Sequence, residues 1–210
     1  MAVEMKYGDY IKAAVDVVKA NLVPAAVAGV LMNLSTVITL VAQVLAVVLP
    51  VLALVGLLAL PVAIVQGVFI VNWMRAVKAA KHEGKPIQIA DLLNFENVVD
   101  KVITGLAFGI GLMCCCVPGA LIAFGPCILA DRPGTSFMNA IKAALSFGKQ
   151  NLVPMLLLTI ICMVVAFSGS IACLIGLFIT GPIGMGALYL AYEEHRSALE
   201  AAAAEGGVAL

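Results

Sequence analysis

The chain has 210 residues, of which 63% are hydrophobic and only 11% are charged, and its formal net charge is zero. A soluble domain usually carries about 25% charged residues, so this chain has too little polar surface to cover a single aqueous core. The composition therefore predicts an integral membrane protein. The balance of 12 basic and 12 acidic residues argues against nucleic acid as a partner.

Ionisable residues are confined to short segments between three runs that contain no Asp, Glu, Lys, Arg or His. These runs cover residues 20–74, 102–130 and 150–192. A membrane-spanning helix needs roughly 20 apolar residues, so the first and third runs are each long enough for two spans. The predicted turns lie near Leu49–Pro50 and at Ser168-Gly169-Ser170.

The chain opens with an amphipathic helix, for which Asp9 is the predicted N-cap. Residues 11–24, IKAAVDVVKANLVP, match residues 141–154, IKAALSFGKQNLVP, at nine of 14 positions. This match predicts a duplicated unit in which an amphipathic helix precedes a hydrophobic hairpin. Repeat unit A covers 9–74 and repeat unit B covers 135–192, with Ser136 as the N-cap of the second amphipathic helix.

A middle unit covers residues 87–130 and begins with a third amphipathic segment, 87–101, which Asp91 is predicted to cap. The following run would be about 43 Å long as one helix, against about 30 Å of hydrocarbon. Because Pro118-Gly119 interrupts the run, either a short or re-entrant hairpin or a single kinked helix fits the sequence. We favour the hairpin, since a single helix would place Lys142 on the opposite membrane face from Lys12.

The basic loop 75–85 indicates which side of the membrane is cytoplasmic. It carries Arg75, Lys78, Lys81 and Lys85, and basic loops face the cytoplasm. We therefore expect one membrane domain over residues 1–210, an all-α protein of three hydrophobic hairpins with about six membrane segments. Both termini would be cytoplasmic, each hairpin would follow an amphipathic interfacial helix, and 197–210 would form a flexible tail.

The layout of the chain resembles that of a broad group of bacterial six-span integral membrane proteins. The resemblance is carried by Gly111–Gly119, by Ala130-Asp131 and by the segment from Ser136 to Asn151. This group is similar to the membrane domain attached to some glycerophosphodiester phosphodiesterases. The resemblance implies a multi-pass fold in the bacterial cytoplasmic (inner) membrane. It implies no activity and transfers no site residues, because no segment here matches a phosphodiesterase catalytic domain.

Uncharged polar residues and glycines are the candidate functional residues within the runs. Asn33, Gln43, Gln66 and Asn72 are predicted either to line a pore or to make hydrogen bonds between helices. Gly105, Gly109, Gly181 and Gly184 are predicted helix-packing positions, either within the chain or between subunits.

No catalytic, cofactor-binding or metal site is predicted. All six cysteines lie inside the runs, as Cys114, Cys115, Cys116, Cys127, Cys162 and Cys173. We interpret them as small apolar side chains, because three consecutive helical cysteines point in different directions and cannot grip one ion. The segment Glu193-Glu194-His195-Arg196 offers acid–base groups but shows no partner cluster in the sequence.

These observations favour a non-enzymatic membrane protein with a scaffold, assembly or lipid-organising role. The alternative is a channel or facilitator, formed by a homo-oligomer with an uncharged polar lining. The expected partners are membrane lipids, together with further copies of the chain or other membrane proteins.

Overall fold

The computed structural model describes residues 3–48, 59–113, 116–170 and 176–210. Within these ranges the protein is all-helical and has no strand, which confirms the prediction of an all-α protein. The predicted turn near Leu49–Pro50 and three of the cysteines, Cys114, Cys115 and Cys173, lie outside the described residues. In chain order the helices are α1 (Tyr7–Ala20), α2 (Leu22–Val48), α3 (Ala59–Glu83), α4 (Ile89–Leu92), α5 (Val98–Met113), α6 (Val117–Leu121), α7 (Gly125–Asp131), α8 (Phe137–Gln150), α9 (Leu152–Ser168), α10 (Leu177–Glu194) and α11 (Arg196–Glu205).

Two of the described helices are long and apolar enough to cross a membrane, over Leu22–Gln43 in α2 and Pro61–Glu83 in α3. The bent pair α8 and α9, which meet at 111°, makes a third candidate if the two helices form one span. One face of α9 also exposes a continuous row of large apolar side chains. This row consists of Val153, Leu157, Ile160, Val164 and Phe167, which are 41–66% exposed. Since water-soluble surfaces rarely present such a row, the helices and this face together indicate association with a membrane.

Two pairs of long helices that follow each other in the chain, α2 with α3 and α9 with α10, pack along each other. In the first, Gln66 Nε2 of α3 donates to Ser35 Oγ of α2 at 2.7 Å. In the last, Thr180 Oγ1 of α10 donates to the carbonyl of Ala166 in α9 at 2.7 Å. The predicted turn at Ser168-Gly169-Ser170 fits this hairpin, because α9 ends at Ser168.

The middle run also reverses direction, so the single kinked helix is wrong. Helix α5 ends at Met113, and α6 and α7 then lead the chain back along it. Gly111 of α5 lies directly against Gly119 of α6. At the far end of the hairpin, the backbone N–H of Phe137 donates to Asp100 Oδ1 at 2.9 Å. Residues on either side of the run are therefore neighbours in space.

The predicted N-caps have mixed outcomes. Ser136 is the N-cap of α8 and accepts a hydrogen bond from the backbone N–H of Asn139, as predicted. Asp9 does not cap α1, which begins at Tyr7 after the N-cap Lys6. It lies in the first turn, where a carboxylate is favourable beside the positive end of the helix dipole.

The predicted amphipathic helix over 87–101 is interrupted. Gln88 rather than Asp91 is the N-cap of the short α4, and Asp91 accepts from the backbone N–H of Gln88 at 3.0 Å. The chain leaves the helical path between Leu92 and Val98. The Asn94 side chain accepts from the backbone N–H of Glu96 at 2.8 Å, and such local bonds compete with helix formation.

Near the ends of the two matching segments, the junctions between α1 and α2 and between α8 and α9 have the same local geometry. Asn21 donates to the carbonyl of Val17 at 3.0 Å, and Asn151 donates to the carbonyl of Phe147 at 3.1 Å. Each amide oxygen accepts from a distant backbone N–H, that of Ile87 for Asn21 and that of Val3 for Asn151. Asn21 and Asn151, which are identical in the sequence match, thus make equivalent hydrogen bonds at the two junctions.

Helix α10 lies at the centre and packs against α1, α2, α3 and α9. Its Pro182 has no N–H, so the carbonyl of Phe178 loses its usual donor within the helix. Helix α2 approaches this carbonyl at Gly29, where a side chain would overlap with Phe178. On the other side, Trp73 Nε1 of α3 donates to the carbonyl of Pro182 at 2.9 Å. Helices α2 and α3 therefore both contact α10 within one turn of Pro182.

Candidate functional site

The charged segments converge at one end of the bundle, where four consecutive residues bind side chains from α1 and its N-cap, from α3 and from α7. These residues are the ones that offered acid–base groups in the sequence. Glu193 binds Lys81 and His82 of α3, Glu194 binds Lys6, His195 binds Tyr10 of α1, and Arg196 binds Asp131 of α7. The segment connects the helix ends, and this arrangement does not show in the sequence because these partners lie 65 or more residues away.

Asp131 forms the most buried ion pairs of this end, with a side chain that is 2% exposed. Its carboxylate lies 2.6 Å from Lys78 Nζ and 3.1 Å from Arg196, and it accepts from the Tyr192 hydroxyl at 3.1 Å. Burial alone would raise the pKa of Asp131. The hydrogen bond and charge of Lys78, helped by Arg196 and Tyr192, outweigh burial, so the pKa of this carboxyl is lowered. Asp131 thus stays ionised as a fixed negative charge.

His195 is buried against Tyr10, whose hydroxyl lies 3.1 Å from His195 Nε2. Burial lowers the pKa of His195, so its imidazole is neutral at pH 7. The neighbouring Glu194 is bound by Lys6 at 3.1 Å. Both groups are therefore engaged in structural contacts.

Lys101, the last residue before the middle charge-free run, is buried to 2% exposure. Its ammonium donates to Asn72 Oδ1 at 2.8 Å and to the carbonyl of Asn94 at 3.0 Å. Burial, followed by the nearby charge of Arg75, lowers the pKa of Lys101 to about 8. Asn72, one of the predicted polar positions, thus serves as the acceptor for a buried cation and does not face a wide pore.

A polar cavity of about 330 Å³ lies beside this lysine. Arg75, Asn72 and Asn94 form part of its wall, together with the loop from Glu83 to Asp91. Arg75 Nε is buried and has no hydrogen-bond partner among the described residues. The guanidinium therefore retains donor capacity next to the cavity.

A second cavity, of about 120 Å³, lies among α2, α3, α5, α9 and α10 and is mainly apolar. It brings together the predicted residues Asn33 and Gly181 with Thr159 and Cys162. Asn33 Nδ2 donates to the carbonyl of Gly29 in its own helix at 2.9 Å. The hydroxyl of Thr159 is buried and has no partner in the described part of the chain.

The four predicted polar residues do not lie together within one chain. Asn33 borders the apolar cavity, Gln66 binds Ser35 between α2 and α3, and Asn72 holds Lys101 at the charged end. The side chain of Gln43 is exposed on α2. A shared pore lined by all four therefore does not form within a single copy of the chain.

Three of the four predicted packing glycines make close contacts inside the chain. Gly105 of α5 lies against Gly67 of α3, Gly184 lies against Cys162 and Ala166 of α9, and a side chain at Gly181 would be 3.2 Å from Asn33 Nδ2. At Gly109 an added side chain would meet open space. Gly67 and Gly29 are packing positions that the sequence analysis missed.

The described cysteines behave as apolar side chains. Cys127 and Cys162 are buried, and Cys127 Sγ lies 3.8 Å from Met74 Sδ. Among the described residues, no group of three or more His, Cys, Asp or Glu side chains is arranged to hold a metal ion. Comparison with protein families, with curated proteins and with solved structures finds no match for this chain.

Proposed function

We propose that this chain is a multi-pass protein of the bacterial cytoplasmic membrane with a non-enzymatic, lipid-organising or scaffold role. One observation carries the proposal: the charged segments that flank the three hairpins meet at a single end of the bundle. Lys6 pairs with Glu194, Lys81 with Glu193, and Lys78 with Asp131. Because basic loops face the cytoplasm, this end and both termini lie on the cytoplasmic side.

The three hairpins then supply about six membrane segments, and the middle pair is the short one. Helix α5 has 16 residues and is about 24 Å long, which is less than the roughly 30 Å of hydrocarbon. The return through α6 and α7 is irregular, but Gly119, Ala120 and Phe124 are buried in the protein. Irregular backbone at membrane depth is tolerated where protein covers it, which supports a re-entrant middle hairpin.

Exposed apolar side chains next to the charged end support contact with lipid. Both copies of the repeated Asn-Leu-Val-Pro sequence expose their Leu and Val, at Leu22 and Val23 and at Leu152 and Val153, with exposures of 39–67%. In the middle unit Phe95 and Val99 are 52% and 63% exposed. Side chains of this kind, placed beside lysines, anchor amphipathic segments at the boundary between headgroups and acyl chains.

Site-directed cysteine labelling in intact cells tests this topology. Lys142→Cys in α8 belongs to the proposed cytoplasmic end, and Ser170→Cys belongs to the opposite turn. An impermeant maleimide added outside should label Ser170→Cys only, and permeabilised cells should label both, with the unmodified chain giving the background of the native cysteines. Labelling of Lys142→Cys from outside would overturn the proposal.

A channel is the second candidate, and the exposed position of Gln43 favours it. This amide lies on the outside of α2, in a segment that is apolar enough to span the bilayer. Only a homo-oligomer would enclose it as part of a pore. Solute flux in liposomes containing the protein, abolished by Gln43→Leu but not by Gln66→Leu, would support the channel over the scaffold.

A further inference from the structure

Two cations of α3 and α5 lie together without a balancing buried carboxylate. Lys101 is 2% exposed, and both acceptors that the described residues offer its ammonium, Asn72 and Asn94, are neutral. Arg75 has one carboxylate within reach among the described residues, Glu96, at 3.9 Å, and that side chain is 73% exposed. Since buried charges are normally paired, Lys101 stands out as a buried cation held by neutral acceptors, and Arg75 beside it has a long ion pair to an exposed carboxylate.

The cavity of about 330 Å³ lies beside these two cations. Asn72 and Asn94, the residues that hold Lys101, form part of its wall, as does Arg75. The other charged groups of the wall are Glu83 at the end of α3, Lys85 in the loop that follows and Asp91 in α4, and all three are engaged locally. Lys85 pairs with Glu83, and Asp91 accepts from the backbone N–H of Gln88.

We propose that this cavity binds a phosphate group, which Arg75 holds directly while Lys101 contributes a second positive charge from behind the wall. The planar guanidinium donates two parallel hydrogen bonds to phosphate, and a buried ammonium strengthens the local field. The amide side chains of Asn72 and Asn94 give the wall its polar character. A cavity of this size is in the range that binds small organic ligands.

The phosphate comes either from a phospholipid headgroup or from a free phosphate in the cytoplasm. The lipid source rests on the proposed function, because the exposed Leu93 and Phe95 next to the cavity would then lie at the membrane boundary. Basic cavities on the cytoplasmic side of membrane proteins are suited to lipid headgroups. In that case a phospholipid headgroup is the ligand through which the protein organises lipid.

The test uses the full chain purified in detergent and three probes: short-chain phosphatidic acid, diacylglycerol of the same chain length, and inorganic phosphate. Binding is measured by native mass spectrometry and by the shift of the unfolding temperature. We expect saturable binding of phosphatidic acid, absent for diacylglycerol, that weakens about tenfold or more in Arg75→Gln. Lys101→Met should weaken it less, and Lys142→Gln, which changes an exposed lysine of α8, should leave it unchanged.

The outcomes separate the sources and the proposals. Competition by inorganic phosphate at similar concentration would identify a free phosphate as the ligand, whereas binding of phosphatidic acid alone would identify the headgroup. No binding of any phosphate probe to the unmodified chain, or equal binding by Arg75→Gln, would overturn the site. Because binding in detergent requires no membrane orientation, these results are independent of the cysteine labelling that tests the topology.

Discussion

Asp131 shows how a single residue at the edge of a charge-free run organises the charged end. Replacing it with Asn keeps the shape but leaves Lys78 and Arg196 without their buried counter-ion. Because the side chains of Lys78 and Arg196 are 36% and 44% exposed, water compensates part of the loss, and the free energy of unfolding should fall by about 1 to 2 kcal/mol. We therefore expect Asp131→Asn to lower the unfolding temperature in detergent.

Glu83→Gln is the matched control, since Glu83 and Lys85 form an exposed ion pair with side-chain exposures of 52% and 71%. This change should leave the free energy of unfolding nearly unchanged. The lowered pKa of Asp131 also determines how the stability of the folded protein depends on pH. The stabilisation that ionised Asp131 contributes is complete above the ordinary Asp pKa of about 3.9 and is lost as the pH falls through the lower folded-state pKa. Equal stability of Asp131→Asn and the unmodified protein at pH 7 would contradict this role.

For two threonines, the buried Thr159 and the half-buried Thr180, we expect substitution by valine to have opposite effects on stability. The Thr159 hydroxyl has no partner among the described residues, whereas Thr180 Oγ1 donates to the carbonyl of Ala166 at 2.7 Å. Removing an unsatisfied buried hydroxyl should raise the free energy of unfolding by about 1 kcal/mol in Thr159→Val, and loss of the hydrogen bond should lower it by about 1 kcal/mol in Thr180→Val. Thermal unfolding of the two variants in detergent checks the difference, and changes of the same sign would refute it.

Single residues also mark the limit of the sequence analysis. The sequence identifies Lys101 and Asp131 only as the boundaries of the middle run. Their burial depends on Asn72 and Lys78 of α3, which are 29 and 53 residues away, respectively. No local pattern encodes such contacts, so the buried cation and the ion-pair cluster required the structure.

At the level of elements, the contact between α3 and α5 depends on a pair of glycines. Gly67 and Gly105 lie against each other, and a side chain on either would overlap the opposite backbone. Gly105→Ala should therefore lower the free energy of unfolding by about 2 kcal/mol, as expected when a close-packed contact is overfilled. Because backbone is the neighbour on both sides, little relaxation is available to reduce this loss.

Gly109, one turn further along α5, provides the control. An added side chain there would meet open space, so Gly109→Ala should be neutral or stabilise the helix by up to about 1 kcal/mol. Denaturant titration of the two variants measures the difference. If Gly109→Ala were the more damaging change, its glycine would be packing against another subunit.

The comparison of these glycines shows which part of the element arrangement the sequence contains. The glycine spacing predicts a close-packing face on α5 but does not tell which glycine meets the neighbouring helix. The repeated segments were more informative, because their identical Asn21 and Asn151 adopt equivalent bonds at both junctions. By contrast, the turn after Leu92 was missed, since it depends on the Asn72 side chain binding the carbonyls of Leu92 and Asn94.

On the scale of the whole molecule, the distribution of charge was the most reliable guide. It predicted an all-helical chain with apolar helices and charged segments gathered in short stretches, and these segments meet at one end. The central position of α10 was not predictable, because its sequence is rich in glycine and contains Pro182. Those features favour close approach of neighbouring helices only once α2 and α3 are in place.

The expectation of a flexible tail over 197–210 is wrong for the larger part of that segment. Helix α11 covers Arg196–Glu205 and packs against α8, with Leu199, Ala202 and Ala203 buried. This spacing of i, i+3 and i+4 is a helical face, so the signal was present but short and weakly apolar. The helix continues the charged end, because Glu200 binds both Arg132 and Arg196.

Helix α11 should therefore contribute to the stability of the whole bundle. Leu199 is fully buried, and Leu199→Ala should lower the free energy of unfolding by about 3 kcal/mol through the cavity it leaves. Ala204→Ser, at an exposed position of the same helix, should change it by about 0.5 kcal/mol or less. Unfolding in detergent gives both values, and limited proteolysis should release the end of the chain only from Leu199→Ala.

Since α11 covers α8 and binds Arg132 beside Asp131, loosening it should also expose the buried carboxylate of Asp131 to solvent. The acid sensitivity of Leu199→Ala should then shift toward that of Asp131→Asn, whereas an independent tail would leave the pH profile of the bundle unchanged.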